Sequence, residues 1–329
     1  MGRYLFYISY EGTPYRGLAH GDPGVKSVFN VLKDAILRGV KPGNDFKLSS
    51  SSRTDAGVHA IANTLHTDLH KYIDGTGEYE PVTLVQLVNK NLRKRAERIR
   101  VVDVKRVNDD FHSRFYATSR TYLYRIAVRQ EETDIDYMHR LPISVFQADK
   151  VAYISKPFDE EKLREAATIL TGKLDFAAFS APRMIQPWQN TVKDMQVSVH
   201  RGMNGFLDEH TAYMRDKFQY WDLIFNGNSF LYHQVRKMTG AMVQSARNRI
   251  SLDDVRAMID RPNENHDIYG MPPHGLYLKS VNYKEEDLVF TGEDGLTKQK
   301  RTDGFFENKE KIRQQFLLKK QKDRKDENG

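Results

Sequence analysis

The sequence has no cysteine among its 329 residues. Disulfide bonds, thiolate nucleophiles, thiolate-bound zinc and iron–sulfur clusters are therefore excluded. No apolar run approaches the roughly 18 residues that a membrane span needs, so we predict no membrane partner. The nearest approach to a phosphate-binding loop, Gly21-Asp22-Pro23-Gly24, lacks the following Lys-Ser or Lys-Thr. Chemistry in this chain must use oxygen, imidazole or amine groups.

Three histidines, His59, His66 and His70, lie close together in the sequence. A metal-binding pair at positions i and i+4 needs a helix, but this region has the character of a strand and a loop. The glutamate that accompanies such a pair in metalloproteases is also missing. We therefore predict no metal site.

Residues 3–10 alternate along the chain and are rich in Tyr, Phe and Ile, which predicts a strand. A secretory signal would instead have a charged segment, an apolar segment and a cleavage site with small residues. We expect an intracellular protein, with cytosol, nucleus and mitochondrion all left open.

The formal net charge is +7 and the isoelectric point is about 9.2. Residues 283–329 hold 12 Lys and Arg against 11 Asp and Glu, so +6 of the surplus belongs to residues 1–282. A basic folded region suits a polyanionic partner, nucleic acid first. An ordinary basic protein without such a partner is the alternative.

Helical and strand periodicities alternate along the chain and predict an α+β fold. The first half, residues 1–115, has the order β-α-β-α-β, and the second half, residues 116–282, repeats that pattern loosely. We expect two similar halves whose sheets join, with the helices on one side. Residues 283–329 are charged and mostly low in apolar side chains, which predicts a flexible tail. The predicted strands are 3–10, 58–68, 99–107, 121–128, 191–200, 219–226 and 275–282, and the predicted helices are 26–38, 81–95, 159–170, 231–247 and 252–260.

Residues 52–60 read Ser-Arg-Thr-Asp-Ala-Gly-Val-His-Ala. Asp55 follows Arg53 by two positions, and the side chains next to it are small. The segment lies between a run of serines and an alternating apolar segment, so Asp55 occupies a tight connection into a strand. Loops of this kind commonly carry catalytic groups. A turn-forming or helix-capping aspartate is the alternative.

Residues 111–125 interleave aromatic side chains with arginine and histidine. This pattern is typical of segments that bind single-stranded nucleic acid, because aromatic rings stack on bases while cations bind phosphates. Tyr122 and Tyr124 share one face of the predicted strand, and a core role for both is the alternative. Arg236 lies beside the apolar stripe of the helix predicted over 231–247. There it either snorkels to solvent or pairs with a carboxylate in a cleft.

Together these segments resemble the TruA-type tRNA pseudouridine synthases. Residues 53–59, Arg-Thr-Asp-Ala-Gly-Val-His, match the catalytic motif of that family. Further matches follow in the family's order within residues 3–282. They are Asp110-Phe111-His112-Ser113-Arg114, Ser119-Arg120-Thr121-Tyr122-Leu123-Tyr124, Leu170-Thr171-Gly172, Asp175-Phe176, Phe179-Ser180, Val235-Arg236 and Gly275-Leu276-Tyr277-Leu278.

The chain departs from the family pattern at a few places. Ser52 replaces the glycine before the arginine, and Leu18-Ala19 replaces Trp-Gln in the early loop. Tyr232-His233-Gln234 replaces part of a double histidine before the helix arginine. The Ser-Ser-Arg-Thr-Asp form resembles that of the tRNA pseudouridine synthase-like 1 branch. These departures leave the carboxylate, the tyrosine and the arginine in place.

The resemblance implies that Asp55, Tyr122 and Arg236 are catalytic. Asp55 would attack uridine at C1′ or C6, or remove a ribose proton, and these alternatives stay open. Arg236 would compensate the charge of Asp55. Tyr122 would stack on the base, and assistance with proton removal at C5 is its alternative role. The resemblance also implies a substrate-binding set, in which Thr54 and His59 are also interpreted as structural supports. That set is Arg53, Thr54, His59, Arg114 and Arg120.

The implied fold is a pair of ferredoxin-like α+β halves that share a mainly antiparallel sheet, with the active-site cleft between them. The implied reaction isomerises uridine to pseudouridine without a cofactor. The implied partner is RNA, with tRNA preferred, and homodimers that bind RNA across both subunits occur in the family. A catalytically weak or inactive RNA-binding or RNA-folding protein on the same scaffold is the alternative.

Overall fold

Ten strands form one sheet that runs through both halves of the chain. The computed structural model describes residues 2–18, 24–71, 77–130, 144–180, 185–186, 189–203 and 217–292. Five α-helices lie in these residues, and none of the five is long and apolar enough to cross a membrane. Most neighbouring strands are antiparallel, so the predicted α+β class with a mainly antiparallel sheet is confirmed.

Local sequence signals explain the elements of the first half. The Ser27 hydroxyl accepts a hydrogen bond from the backbone N–H of Asn30 and so caps the first helix. Pro81 occupies the start of the second helix, where its missing N–H costs nothing. The elements are β1 Gly2–Tyr10, α1 Val28–Gly39, β2 Ser49–Ser50, β3 His59–Leu69, α2 Pro81–Lys94 and β4 Ile99–Val107.

Capping residues also begin helices in the second half. Asp159 accepts from the backbone N–H groups of Glu161 and Lys162 and caps a helix, and Ser251 forms a capping box with Asp254. The short strands β2, β6 and β7 were not predicted, because two to four residues carry too little periodicity. The elements are β5 Ser119–Arg129, β6 Ala152–Ile154, α3 Glu160–Ile169, β7 Gly172–Asp175, β8 Val192–Arg201, β9 Phe218–Gly227, α4 Gln234–Ala246, α5 Leu252–Asp260 and β10 Leu276–Asn282.

The last strand, β10, joins the two halves. The sheet order is β4-β1-β3-β10-β5-β9-β8-β7, so β10 lies between β3 and β5. Tyr277 of β10 is the parallel partner of His59 in β3, and Leu278 is the antiparallel partner of Tyr122 in β5. The beginning of β3 and Tyr122 of β5 therefore lie on opposite sides of the same part of β10.

The helices cover one face of the sheet. Tyr4, Phe6 and Ile8 of β1 are fully buried in the core cluster that includes the buried faces of all five helices. Leu5 points the other way and packs with Phe111 in a smaller cluster on the opposite face. This alternation is the period of two that a strand with two covered faces requires.

Helix α4 begins at Gln234, three residues later than predicted. His233 has a φ of 62° and a ψ of 4°, a left-handed conformation that cannot continue a right-handed helix. The apolar pattern from Leu231 through Val235 to Met238 extends across this break, and all three side chains are buried as predicted. Arg236 consequently lies in the first turn of the helix.

The first residues of the predicted tail pack against the first half. The Tyr283 hydroxyl donates to the carbonyl of Ser113 at 2.7 Å, and the Phe290 ring lies 4.1 Å from the guanidinium of Arg106. Residues 293–329 lie outside the described residues. The domain boundaries and the flexibility of the tail stay predictions.

Two histidines beneath the sheet are held neutral. Burial lowers the pKa of His66 to about 3, and the positive charge of Arg3 adds to the effect. Burial likewise lowers the pKa of His112, whose ring lies 4.6 Å from that of His66, to about 4. The Nδ1 atom of His66 accepts from the backbone N–H of Ser113 at 3.2 Å. Each histidine therefore stays unprotonated in the folded protein at neutral pH.

We predict that the free energy of unfolding decreases as pH falls from about 6.5, the ordinary histidine pKa, toward 4. The unfolded chain takes up protons in this range and the folded chain does not. His66→Asn keeps an acceptor near Nδ1 without a titratable group, so it should flatten this decrease. Chemical denaturation at several pH values measures the free energy of unfolding. The control is His200→Asn, because His200 is exposed. An unchanged pH dependence in His66→Asn would contradict the prediction.

Candidate active site

The Asp55 loop, residues 51–58, connects β2 to β3. It turns where the backbone N–H of Val58 donates to the carbonyl of Asp55 at 3.2 Å. Gly57 permits the turn because its φ is +79°, in the region that favours glycine. The chain enters β3 directly after this turn.

A second loop, residues 11–18, packs against the Asp55 loop. The backbone N–H of Leu18 donates to the carbonyl of Thr54 at 3.1 Å. Gly17 has a φ of +86°, and a Cβ there would lie 2.8 Å from the same Thr54 oxygen. The loop of residues 11–18 therefore supplies a close backbone contact beside Asp55, and this contact holds the Asp55 loop in place.

Buried hydrogen bonds hold the Asp55 loop from the side of β3. Asn63 donates to the carbonyl of Ser52 and to the hydroxyl of Tyr10, at 3.2 Å each, and accepts from the Ser51 hydroxyl at 3.1 Å. The Tyr10 hydroxyl in turn lies 2.8 Å from that of Thr54. Thr54 thus has its side chain directed into this network, and its predicted contact with substrate stays a prediction.

His59 links the two loops to β10. Its Nδ1 accepts from the backbone N–H of Gly12 at 3.0 Å, and its Nε2 lies 3.1 Å from the carbonyl of His274. The ring stacks on Tyr277 at 4.7 Å. Burial lowers the pKa of His59, so the neutral ring with its proton on Nε2 satisfies both contacts. These contacts are those of a structural support.

Arg120 is buried and binds the backbone of several segments around the loop. Its nitrogens donate to the carbonyls of Ser51 at 3.3 Å, Arg114 at 2.9 Å, Ala117 at 3.3 Å and Asn228 at 2.7 Å. An arginine used in this way fixes the relative positions of those segments. Its predicted role in substrate binding is not tested by these contacts.

The carboxylate of Asp55 meets Arg236 from the other half of the chain. Asp55 Oδ2 lies 3.5 Å from Arg236 Nη1 and 3.3 Å from His233 Nε2. Arg236 is held from behind, because its Nε donates to the carbonyl of Met271 at 2.6 Å. The side chains of Asp55 and Arg236 are 26% and 17% exposed, so the carboxylate is partly shielded yet accessible.

Tyr122 lies in the core beside this pair. Its ring packs edge-on against Phe230 with centroids 4.7 Å apart. Burial raises the pKa of Tyr122 to about 12, and the negative charge of Asp55 adds to the rise. A hydrogen bond with Ser52 and the charge of Arg120 oppose it. The hydroxyl is therefore protonated at neutral pH.

Arg53 lies in the Asp55 loop, Arg114 is linked to that loop through Arg120, and both are exposed cations. Burial lowers the pKa of Arg114, and the positive charge of Arg53 lowers it further. The two guanidinium groups are thus close enough to repel one another. An anion placed between them would remove that repulsion, as a phosphate does.

The geometry is that of a partly shielded carboxylate with one fixed cation, a nearby aromatic ring and two exposed guanidinium groups. The three residues predicted to be catalytic, Asp55, Tyr122 and Arg236, lie together although they come from three separate segments. Among the described residues, no three His, Asp or Glu side chains cluster in a way that would hold a metal ion.

Comparisons with known proteins identify the family to which this chain is similar. The profile of a family described as "tRNA pseudouridine synthase" matches residues 166–284. A Xenopus laevis protein named "tRNA pseudouridine synthase-like 1" is 32% identical over 290 residues, 87% of this chain and 93% of its own length. The chain belongs to the TruA-type tRNA pseudouridine synthase family. The predicted family resemblance is thus confirmed.

Two further relatives of this pseudouridine synthase family cover most of the chain. The Homo sapiens protein named "tRNA pseudouridine synthase-like 1" is 36% identical over 289 residues, 85% of this chain and 90% of its own length. A Brucella anthropi protein named "tRNA pseudouridine synthase A" is 32% identical over 284 residues, 86% of this chain and 98% of its own length. The similarity therefore includes both halves and the junction between them.

Two neighbours of the residues predicted to be catalytic were missed in the sequence. His233 contacts Asp55 and Arg236, and Phe230 packs on Tyr122. The departure from the family pattern at residues 232–234 was a signal for His233, but its left-handed backbone has no reliable sequence signature. Phe230 carries no signal that distinguishes it from a core residue.

We predict that Gly17→Ala destabilises the protein more than Gly24→Ala. Both glycines have a positive φ, but a Cβ on Gly24 meets nothing within 4 Å. Gly24→Ala should therefore cost about 1–2 kcal/mol of backbone strain alone, while Gly17→Ala must also displace Thr54. Denaturant unfolding measures the difference. Hydrogen exchange at the Leu18 and Val58 amides should accelerate in Gly17→Ala only, and equal exchange in both variants would contradict the account.

Proposed function

We propose that this protein converts uridine to pseudouridine in RNA, with tRNA as the substrate class. The observation that carries the proposal is the Asp55 carboxylate, held 3.5 Å from Arg236 at the junction of the two halves. Membership of the tRNA pseudouridine synthase family supports the choice of reaction and of RNA. An intracellular location is part of the proposal, because RNA is the substrate.

The reaction needs no atoms beyond those of the substrate. The N1–C1′ bond of uridine breaks, the uracil turns, and a C5–C1′ bond forms; the proton lost from C5 is balanced by the proton gained at N1. Asp55 is the group placed to begin this sequence, since it is a carboxylate with a neighbouring cation. Arg236 stabilises the charged form of Asp55 before the base arrives.

Tyr122 serves as a stacking surface and a hydrogen-bond donor for the uracil. A phenol with a pKa of about 12 is ionised in only about one molecule in 10⁵ at pH 7, given tenfold per pKa unit. Removal of the C5 proton by its phenolate is therefore disfavoured. The ring is fixed against Phe230 and needs little reorganisation when a base stacks on it.

The exposed arginines at the rim bind the RNA backbone. The target uridine must leave its stack, which costs a few kcal/mol, and phosphate contacts offset that cost. Arg53 belongs to the Asp55 loop, the carbonyl of Arg114 accepts from the same Arg120 that binds the loop at Ser51, and the side chains of Arg53 and Arg114 are exposed. Binding of this kind weakens steeply with salt. Binding across the subunits of a homodimer remains part of the proposal.

We predict that Asp55→Asn abolishes pseudouridine formation and leaves RNA affinity within a few-fold of the wild type. The substitution removes the charge and keeps the shape of the side chain. Release of tritium from C5-labelled uridine in tRNA measures turnover, and a gel shift measures binding. Asp253→Asn, an exposed carboxylate on α5, is the matched control and should be fully active.

Substantial turnover by purified Asp55→Asn would refute the proposed role of Asp55. A wild-type protein that binds tRNA with a steep salt dependence but releases no tritium would favour the alternative, an inactive RNA-binding protein on this scaffold.

We predict that Tyr122→Phe retains tRNA binding and lowers kcat by roughly 10²-fold, the usual effect of removing one preorganised donor. The ring and its contact with Phe230 remain, so stacking is kept. Tyr4→Phe, which removes a buried hydroxyl bonded to the carbonyl of Tyr79 far from the site, is the control for lost stability. An unchanged kcat in Tyr122→Phe would show that the hydroxyl has no catalytic role.

A further inference from the structure

His233 adopts a strained backbone conformation immediately before α4. Its φ of 62° is left-handed, a conformation that is strained for a non-glycine residue. Such strain persists where surrounding contacts maintain it, and it is frequent at functional sites. Here the ring stacks on Tyr232 at 3.8 Å, and Nε2 is directed at the catalytic pair.

Three polar atoms form a triangle at this point. His233 Nε2 lies 3.2 Å from Arg236 Nη1 and 3.3 Å from Asp55 Oδ2, and the third side, from Nη1 to Oδ2, is 3.5 Å. Arginine only donates hydrogen bonds. A bond between Arg236 and His233 therefore requires a lone pair on Nε2, which places the imidazole proton on Nδ1.

The surroundings of His233 favour this neutral form. Burial lowers its pKa, and the positive charges of Arg236 and Lys237 lower it further, while Asp55 opposes them. Tyr232 faces the His233 ring and stacks on it. At neutral pH the ring is therefore an acceptor.

We propose that neutral His233 is a positioning residue that accepts a hydrogen bond from Arg236 and so holds the guanidinium against Asp55. The expected effect of His233 on kcat rests on the proposed function. Arg236 then has two anchors, the Met271 carbonyl at Nε and His233 at Nη1. Protonated His233 cannot accept from Arg236; it donates to Asp55 instead, and the site loses its active arrangement.

Two substitutions separate the acceptor from the backbone strain. His233→Gly fits the left-handed φ but removes the acceptor, so kcat should fall roughly 10- to 100-fold, as misplacement of a catalytic group does, with KM little changed. His233→Gln provides an acceptor that does not titrate, and should restore most of kcat. Lys41→Gly, at another left-handed position with a φ of 53°, is the control for strain relief and should leave kcat unchanged.

The pH profile gives a readout that a merely structural role would not alter. Wild-type kcat should fall as pH decreases through the His233 pKa, and this step should be absent in His233→Gln. Wild-type kcat in His233→Gly, no rescue by His233→Gln, or the same acid limb in both proteins would each overturn the inference.

Nitrogen NMR of the imidazole tests the inference without turnover. In the free wild-type protein at neutral pH, His233 Nε2 should be unprotonated and Nδ1 protonated. Asp55→Asn should lower the pKa of His233, because it removes the charge that raises it. A proton on Nε2 at neutral pH would overturn the inference. If the NMR results hold but the wild-type protein forms no pseudouridine, the proposed function fails and the role of His233 toward Arg236 stands.

Discussion

The contact between Asp55 and Arg236 joins residues that are 181 positions apart in the chain. Each residue stabilises the charge of the other, because a charged group that is partly removed from water is costly unless an opposite charge lies nearby. Their meeting depends on β10, which lies between β3 and β5 and aligns the two halves. The proposed catalytic centre therefore depends on the whole sheet and on the first turn of α4.

The rest of the site keeps that contact rigid. Most of the contacts that fix the site involve backbone groups. Arg120 donates to four carbonyls. The lack of a side chain at Gly17 lets the neighbouring Leu18 amide reach the carbonyl of Thr54. His59 is used in the same way, as a neutral ring between two backbone groups. The family resemblance implies that Thr54, His59 and Arg120 bind substrate, but the contacts of these residues in the structure are with other parts of the protein. Arg53 and Arg114 differ from them because they are exposed.

The sequence predicted most elements within a few residues, because their apolar periods are long and their caps are explicit, as at Asp159 and Ser251. It did not predict where β10 pairs, since pairing between distant strands leaves no local pattern. It also placed the start of α4 three residues early, because Leu231 continues the apolar stripe while His233 leaves the helical conformation. The three residues proposed to be catalytic came from motif resemblance, and how they meet in space could be read only from the fold.

The most direct test of the account is a crystal structure of Asp55→Asn bound to a uridine-containing tRNA stem-loop. The account predicts one uridine turned out of its stack, with its ring on Tyr122 and its C1′ roughly 3–3.5 Å from the side chain of residue 55. The flanking phosphates should lie at Arg53 and Arg114. A complex in which the RNA binds elsewhere, or in which no uridine reaches the junction of the halves, would contradict it.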